Sequence, residues 1–354
     1  MRILTNVEPR RTDDNPYLSL LNDELRREGV AIDGVSGRRL LSRPEVLHVH
    51  WPEQLLRHDD ARTMAYSAAK LLLLIAAARL RGTVVVWTAH NLRPHERRHP
   101  RLSDAFMALF TAQVDLVIGL TAGSRAAVVA RYPLLKRRPF VVVSHGHYRD
   151  AYPRDERDKA ASRRRLGLPA NARTLLTLGY VRRYKNLPAL VRAFTRGGRD
   201  DARLVIVGPL GEEALGDEIQ TARGDDERIV LRLATATPEE VVGWHAAADV
   251  VVLPYDTSSS LNSGAALLAL SFDRPVVMPD GPAAAELRGQ VGAEWVRPVR
   301  GAAPDFLDAA LEMPLPTHAQ PALEHLDWDR LGRATLAAYE QARRRRRWWR
   351  RLSG

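Results

Sequence analysis

Short β-branched runs alternate with stretches of helical periodicity along this whole chain. In the first half, residues 2–6, 46–50, 84–88, 116–120 and 140–144 read as strands. Residues 16–27, 61–79, 101–112 and 124–131 read as the helices between them. The second half repeats the alternation, with strands at 174–178, 203–207, 229–233, 250–253, 275–278 and 293–296. Its helices fall at 187–194, 212–222, 238–247, 263–270 and 283–288. Strand, crossover helix and next strand, joined by short connections, is the pattern of parallel sheets flanked by helices.

Residues 148–169 interrupt the alternation: they are polar, charged and bounded by proline, with no strand pattern. The expected fold class is therefore α/β, two tandem Rossmann-like doubly wound domains with a cleft between them. The expected organisation is a first domain over 1–150, a linker over 151–169 and a second domain over 170–325. The length of 354 residues fits two domains at roughly 150 each. In such sheets ligands bind beyond the carboxyl ends of the strands, so the chemistry is sought there.

Composition removes several classes. The chain has no Cys, which excludes a disulfide scaffold, thiolate metal sites and a cysteine nucleophile, and fits a reducing compartment. Met1 to Val7 is too short an apolar run for a secretion signal, and the apolar run 71–78 is too short to span a bilayer. Neither G-x-G-x-x-G after the first strand, nor a Walker-type phosphate loop, nor G-x-S-x-G is present, which disfavours dehydrogenases, P-loop NTPases and serine hydrolases. The net charge of +11 changes the picture more, because residues 343–351 alone hold seven arginines around Trp348 and Trp349. A surplus of that kind calls for an acidic partner.

Polar chemistry follows almost every strand. The second ends in His48-Val49-His50-Trp51-Pro52-Glu53, the third in Thr88-Ala89-His90-Asn91 and onward to Glu96, and the fifth in Ser144-His145-Gly146-His147. A zinc site from His48, His50 and His90 is conceivable only if the strand is regular at both of its histidines. In the second half, Gly179-Tyr180-Val181-Arg182-Arg183-Tyr184-Lys185-Asn186 places a glycine turn and three cations before a helix, which suits a diphosphate. After the strand at 250–253, Tyr255, a run of small hydroxyl residues, Asn262, Ser263 and Gly264 lead into a small-residue helix whose free N–H groups form a second candidate phosphate cradle.

These residues resemble the bacterial glycosyltransferases of GT-B fold, near the large family 4, over nearly the whole chain. Gly179 to Asn186 is similar to that family's G-x-x-R-x-x-K-[GN] loop. Val205-Ile206-Val207-Gly208-Pro209, Ala248 to Tyr255, and Arg274-Pro275-Val276-Val277 match its later strands, with Asp273 where the family has Gly. Thr88-Ala89-His90 looks like its T-x-H strand end, whose His faces the donor sugar. Two glutamates eight residues apart are replaced here by Ser260 and Leu268. The region is more similar to exopolysaccharide transferases, some of which resemble lipid-linked β-mannosyltransferases using GDP-mannose.

The resemblance implies a metal-independent hexosyltransferase, with no cofactor beyond the donor substrate. It would use GDP-mannose or a UDP-sugar and a lipid-linked glycan or glycolipid acceptor, in polysaccharide biosynthesis. Donor-binding candidates are Gly179, Arg182, Lys185, Gly208, Tyr255, Asn262, Ser263 and Gly264. His90 and Glu96 are the catalytic candidates; Asn15, His50, Glu53, His145 and His147 are candidates on the acceptor side, with Glu53 third in line as base. The missing glutamates lean the expectation toward inversion. Residues 326–342 read as a crossover helix, with Leu331, Thr335, Ala338 and Ala342 at helical spacing. Residues 343–354 then form a basic tail suited to the anionic inner face of the cell membrane, the enzyme being otherwise cytoplasmic. No nucleic-acid-binding module accompanies the tail, so nucleic acid is not an expected partner. The rivals are a sugar-nucleotide epimerase of the same fold and a non-catalytic binding protein.

Overall fold

The computed structural model describes residues 1–7, 16–94, 98–153, 158–256 and 261–352, with side chains as far as 346. The chain divides into two units. The first comprises Met1–Gly146, Ser259–Asn262 and Leu326–Gly354; the second comprises His147–Ser258 and Ser263–His325.

In the first unit β1 (Arg2–Thr5), α1 (Tyr17–Arg27), β2 (Ala31–Gly34), α2 (Gly37–Leu40), β3 (Val46–His50), α3 (Ala61–Leu80), β4 (Val84–Ala89), α4 (Pro100–Gln113), β5 (Leu116–Gly119), α5 (Ser124–Arg131) and β6 (Phe140–Val142) follow one another. The strands form one parallel sheet in the order β2-β1-β3-β4-β5-β6. Both faces are covered, and the period of two is visible in what each residue touches. Leu47, Val49, Val85, Trp87 and Val117 pack with α3, α4 and α5. Ile3, Val46, Val84, Val86, Leu116 and Ile118 pack with Tyr17, Leu18, Leu21 and Leu25 of α1. Each such aliphatic side chain contributes roughly 1.5–3 kcal/mol on burial.

α3 is capped by Asp60, whose carboxylate accepts from the Thr63 N–H at 2.8 Å. By length and composition this helix could cross a membrane, a feature the eight-residue run 71–78 did not convey: an 18-residue window has mean hydropathy 1.4. In the fold, however, Met64, Ala68, Leu71, Ile75 and Ala78 line the core face, while Tyr66, Leu73 and Leu80 are exposed.

The second unit contains α6 (Lys159–Arg165), β7 (Arg173–Leu178), α7 (Leu187–Gly197), β8 (Ala202–Val207), α8 (Glu213–Arg223), β9 (Ile229–Arg232), α9 (Pro238–Ala247), β10 (Val250–Val252), α10 (Gly264–Ser271), β11 (Val276–Pro279), α11 (Pro282–Val291), β12 (Val296–Val299) and α12 (Ala303–Glu312). Its parallel sheet has the order β12-β11-β10-β7-β8-β9. Asp273, in the position of the family's Gly, adopts φ 56, the left-handed conformation that favours glycine and tolerates Asp. Its carboxylate also pairs with Arg149 at 2.9 Å.

Three boundaries differ from the sequence expectation. The linker 151–169 contains α6, which is part of the second unit: Arg163 is buried and pairs with Asp249 at 2.7 Å, and Lys159 pairs with the same carboxylate. Leu261 and Asn262 belong to the first unit rather than to a domain running 170–325. The crossover helix does not stop at 342: α13 runs Trp328–Leu352 and takes in most of the tail. Trp328, Leu331, Ala338, Tyr339 and Ala342 pack on the sheet face that α1 covers. Arg343 pairs with Glu45; Arg346 pairs with Asp115 at 3.0 Å and donates to the Arg79 carbonyl at 2.7 Å. Paired to the body in this way, these two arginines are part of the first unit.

Candidate active site

The first unit gathers histidines at the carboxyl ends of β3 and β4. Even-numbered residues of both strands face α1 and α13, so His48 and His50 share a face, as do Thr88 and His90 just after it in the chain. β3 is regular through His50, and the His48 and His50 rings lie 3.9 Å apart, centroid to centroid. All are buried. His48 Nε2 is 2.7 Å from Thr88 Oγ1, His50 Nε2 is 3.2 Å from His48 Nδ1, and His50 Nδ1 is 3.1 Å from His90 Nε2. The Tyr339 hydroxyl, arriving on α13, is 2.6 Å from His48 Nδ1.

Burial pushes the His48 imidazole down to about 3 and holds His50 and His90 well below 6.5, the neighbouring rings adding to the effect; all three are neutral at pH 7. The nitrogens run as a chain and do not converge on one point, because His50 turns a different nitrogen to each neighbour. That arrangement does not make a zinc site of the three histidines.

Aromatic rings fix His90 further. Trp51 stacks on it at 4.0 Å and 22°, and Tyr17 meets it edge-on at 5.0 Å. Trp51 reaches that position through φ 43, ψ 52, a left-handed conformation rare for a bulky residue. The turn also starts the 3₁₀ segment Pro52–Arg57, which buries Glu53. Asn91 Nδ2 donates to Glu53 Oε1 at 2.8 Å, yet burial still raises the carboxyl above its ordinary range. His145 lies against Tyr17 at 4.6 Å and donates from Nδ1 to the Gly146 carbonyl at 2.8 Å; burial lowers its imidazole to about 4. His50, His90 and His145 are thus brought together, with Glu53 joined through Asn91. His147 belongs to the second unit and accepts from the Arg149 N–H at 3.3 Å. Asn15 and Glu96 lie outside the described residues. Sequence reading missed Tyr339, although it lies four residues after Thr335 on the helix face marked by Leu331, Thr335 and Ala338.

In the second unit the candidates cluster beyond β7, β8 and β10. Parallel pairing continues past the strands: the Gly179 N–H donates to the Val207 carbonyl, and Val181 bridges Leu210. Gly179 has φ 111 and Gly208 φ 145, and a Cβ on Gly208 would stand 2.4 Å from the Gly179 carbonyl oxygen. Only glycine allows that approach. Of the three loop cations, Arg183 turns away to Glu212 and Glu218, each at 3.0 Å. Arg182 lies over the Tyr180 ring, 5.4 Å from its centroid.

Lys185 is buried with its ammonium 5.1 Å from the Tyr255 ring centroid, and pairs with no carboxylate among the described residues. Burial, and next the Arg182 charge, push it down from 10.5 to about 7. The Tyr255 hydroxyl is buried as well and has no hydrogen-bond partner among the described residues. A buried lysine with no carboxylate partner among the described residues, next to Arg182 and a phenol hydroxyl that lacks a hydrogen-bond partner there, makes this loop a candidate for holding an anion. Ser263 caps α10, its hydroxyl accepting from the Ala266 N–H at 3.2 Å, and Gly264 is the first helical residue. Asn262 falls in the first unit, and the hydroxyl run 257–260 lies outside the described residues.

Residues 172–313 match the model of the family described as glycosyl transferases group 1. Two proteins from Xanthomonas campestris pv. campestris, both named GDP-mannose:glycolipid 4-beta-D-mannosyltransferase, are 33% and 32% identical to this chain over 349 residues, covering 96% of it and 92% of each relative. Among solved structures, Anabaena HepE in complex with UDP-glucose superposes with a TM-score of 0.65 at 15% identity, covering 97% of this chain and 98% of its own. A putative UDP-N-acetylglucosamine 2-epimerase from Listeria monocytogenes gives 0.59 at 14% identity, covering 96% of this chain and 95% of its own. At that identity the last two share the fold alone. Sequence identity over the whole length lies with the transferases and does not favour the epimerase reading. The chain belongs to the group 1 glycosyltransferases, as a glycosyltransferase of GT-B fold.

Proposed function

We propose that this glycosyltransferase moves mannose from GDP-mannose to a hydroxyl of a lipid-linked glycan or glycolipid, as one step of polysaccharide synthesis. The observation that carries the reading is the full-length similarity to two proteins named for that reaction. In the step, the acceptor oxygen bonds to the anomeric carbon as the bond from that carbon to the diphosphate breaks. The nucleoside diphosphate leaves with the electron pair, and the acceptor proton passes to a base. A β product from an α-linked donor means inversion, in keeping with the absence of the two family glutamates.

Lys185 and Arg182 would hold the diphosphate, with Gly179 and Gly208 allowing its close approach and Tyr255, Ser263 and Gly264 beside it; Asn262 is a further donor-binding candidate. Charge on the leaving group is then met by side chains, without a resident metal or other cofactor. His90 is the proposed base, neutral and with Nδ1 unpaired among the described residues; Glu96 is the second candidate. His50, Glu53 and His145 would line the acceptor side, with Asn15 and His147 as further candidates there.

The proposed setting is the cytoplasmic face of an anionic membrane. Arg344 and Arg345 of α13 are exposed beside the paired Arg343 and Arg346, and the exposed Tyr66, Leu73 and Leu80 of α3 add apolar surface to the same unit.

Radiolabelled GDP-mannose and a panel of UDP-sugars, each incubated with and without a polyprenyl-diphosphate-linked glycan, test the reading. Sugar transfer from GDP-mannose only with acceptor, giving a β anomeric signal by NMR, is the expected result. Transfer from a UDP-sugar alone would displace the donor assignment, and an α product would displace inversion.

A further inference from the structure

The contacts around His48, His50 and His90 leave one consistent arrangement of protons. All three imidazoles are neutral, so each carries a single N–H. Burial keeps the Tyr339 phenol protonated, and its only hydrogen-bond partner among the described residues is His48 Nδ1 at 2.6 Å. A buried O–H left without an acceptor is strongly disfavoured, so the phenol donates and His48 Nδ1 accepts. The His48 proton therefore sits on Nε2 and is given to Thr88 Oγ1 at 2.7 Å.

His50 Nε2 faces the same Nδ1 of His48 at 3.2 Å; the one lone pair there already takes the Tyr339 O–H at 2.6 Å, so His50 shares it as the longer, weaker donor, because an unprotonated Nε2 would set two lone pairs against each other. His50 Nδ1 is then a lone pair, and accepts from His90 Nε2–H at 3.1 Å. The proton of His90 is fixed on Nε2, and its Nδ1 is a lone pair. With the opposite polarity the Tyr339 proton would have no acceptor.

We propose that Tyr339, acting through His48 and His50, holds His90 in its Nε2–H tautomer so that Nδ1 is kept ready to take the acceptor proton. Tyr339, His48 and His50 are positioning residues; the purpose of the relay rests on the assignment of His90 as base made above. The C-terminal helix is thereby coupled to the site by one hydroxyl group at 291 residues' separation from His48. When Nδ1 takes the proton, the resulting imidazolium keeps its Nε2–H on the lone pair of His50, which stabilises the charge. Trp51 and Tyr17 hold the ring orientation, so the tautomer is the remaining variable that Tyr339 controls.

The test uses the full chain labelled with ¹⁵N-histidine, with long-range ¹H–¹⁵N NMR and His90→Gln to assign the signals. In the wild type, His90 Nδ1 should be pyridine-like and Nε2 pyrrole-like. Tyr339→Phe removes only the hydroxyl, lets the relay populate both polarities, and should move His90 Nδ1 toward the pyrrole-like position. Turnover of GDP-mannose should fall roughly tenfold, a fraction of what a general base supplies, with the donor KM within about twofold of wild type. A pyrrole-like His90 Nδ1 in the wild type, or an unshifted His90 spectrum in a folded Tyr339→Phe protein, overturns the relay. The wild-type spectrum decides the tautomer without any variant, so the proposal stays testable if Tyr339→Phe does not fold. Wild-type turnover by His90→Gln would instead remove the base assignment and with it the purpose of the relay.

Discussion

Replacing Lys185 with Met should make the empty protein more stable while weakening its hold on the donor. Methionine keeps the apolar stem and much of the volume but removes a buried ammonium that has no carboxylate partner among the described residues. The folded group titrates at about 7 instead of 10.5. At roughly 1.4 kcal/mol per pH unit, that is a penalty on the order of 5 kcal/mol as an upper limit. Because the folded value is the lower one, the unfolded chain binds more protons between the two, and stability rises with pH through that window. The penalty is fully present below about pH 7 and fades toward pH 10.5. Lys185→Met should therefore raise Tm at pH 6, at about 2–4 °C for each kcal/mol recovered.

Donor affinity should move the other way. Losing one charge-assisted contact costs roughly 1.5–3 kcal/mol, about 10- to 150-fold in Kd. Proton linkage provides a separate check, with GDP-mannose as the probe because its diphosphate diester stays ionised throughout. At pH 8 the empty site is mostly neutral, and a bound diphosphate would restore the ammonium, so wild-type binding should take up about nine-tenths of a proton. Calorimetry in two buffers of different ionisation enthalpy measures this uptake. Wild-type affinity should weaken as pH rises above 7, and the variant should show neither uptake nor that slope. Equal uptake by both proteins, or a lower Tm for the variant at pH 6, would refute the assignment of Lys185 as an uncompensated cation awaiting phosphate.

Gly208→Ala should destabilise the second unit by about 1–3 kcal/mol, since the new Cβ meets the Gly179 carbonyl at φ 145; chemical denaturation reads this, and an unchanged midpoint contradicts it. Arg346→Ala should cost roughly 1–3 kcal/mol by leaving the partly buried Asp115 with one pair fewer, whereas the exposed Arg344→Ala should stay within about 0.5 kcal/mol of wild type. Truncation after Arg346 keeps the helix contacts on the sheet, so thermal stability should hold while co-sedimentation with anionic liposomes falls and becomes less salt-sensitive. If sedimentation is unchanged, the exposed face of α3 is the anchor, and Tyr66→Ser with Leu73→Ser should abolish it.

How much was legible in the sequence follows from the range of the interactions concerned. Most strands of both sheets were readable because a central parallel strand buries itself through its own residues, and the helices between them because their apolar faces repeat locally. β2 escaped notice: Ala31-Ile32-Asp33-Gly34 is a half-exposed edge strand that pairs, among the described residues, with β1 alone. α6 reads as a charged linker until Arg163 meets Asp249, 86 residues away. The glycines, Arg182 and Lys185 stand out as a candidate phosphate loop because their spacing is local; that Arg183 is spent on Glu212 and Glu218 was not readable, since those carboxylates lie on the next β–α connection and helix.

The same division governs the C-terminal arginines and the histidines. By itself the sequence determined two parallel α/β units, the positions of the strand ends and the residue types placed there, because alternation, helical periodicity and glycine turns act over a few residues. Tertiary structure decided that Arg343 and Arg346 fasten α13 to Glu45 and Asp115, and that Tyr339 sets the proton order of a histidine chain. Those outcomes depend on carboxylates and imidazoles brought within hydrogen-bonding distance across two to three hundred residues of chain, and a one-dimensional pattern carries no information about which buried donor will meet which acceptor.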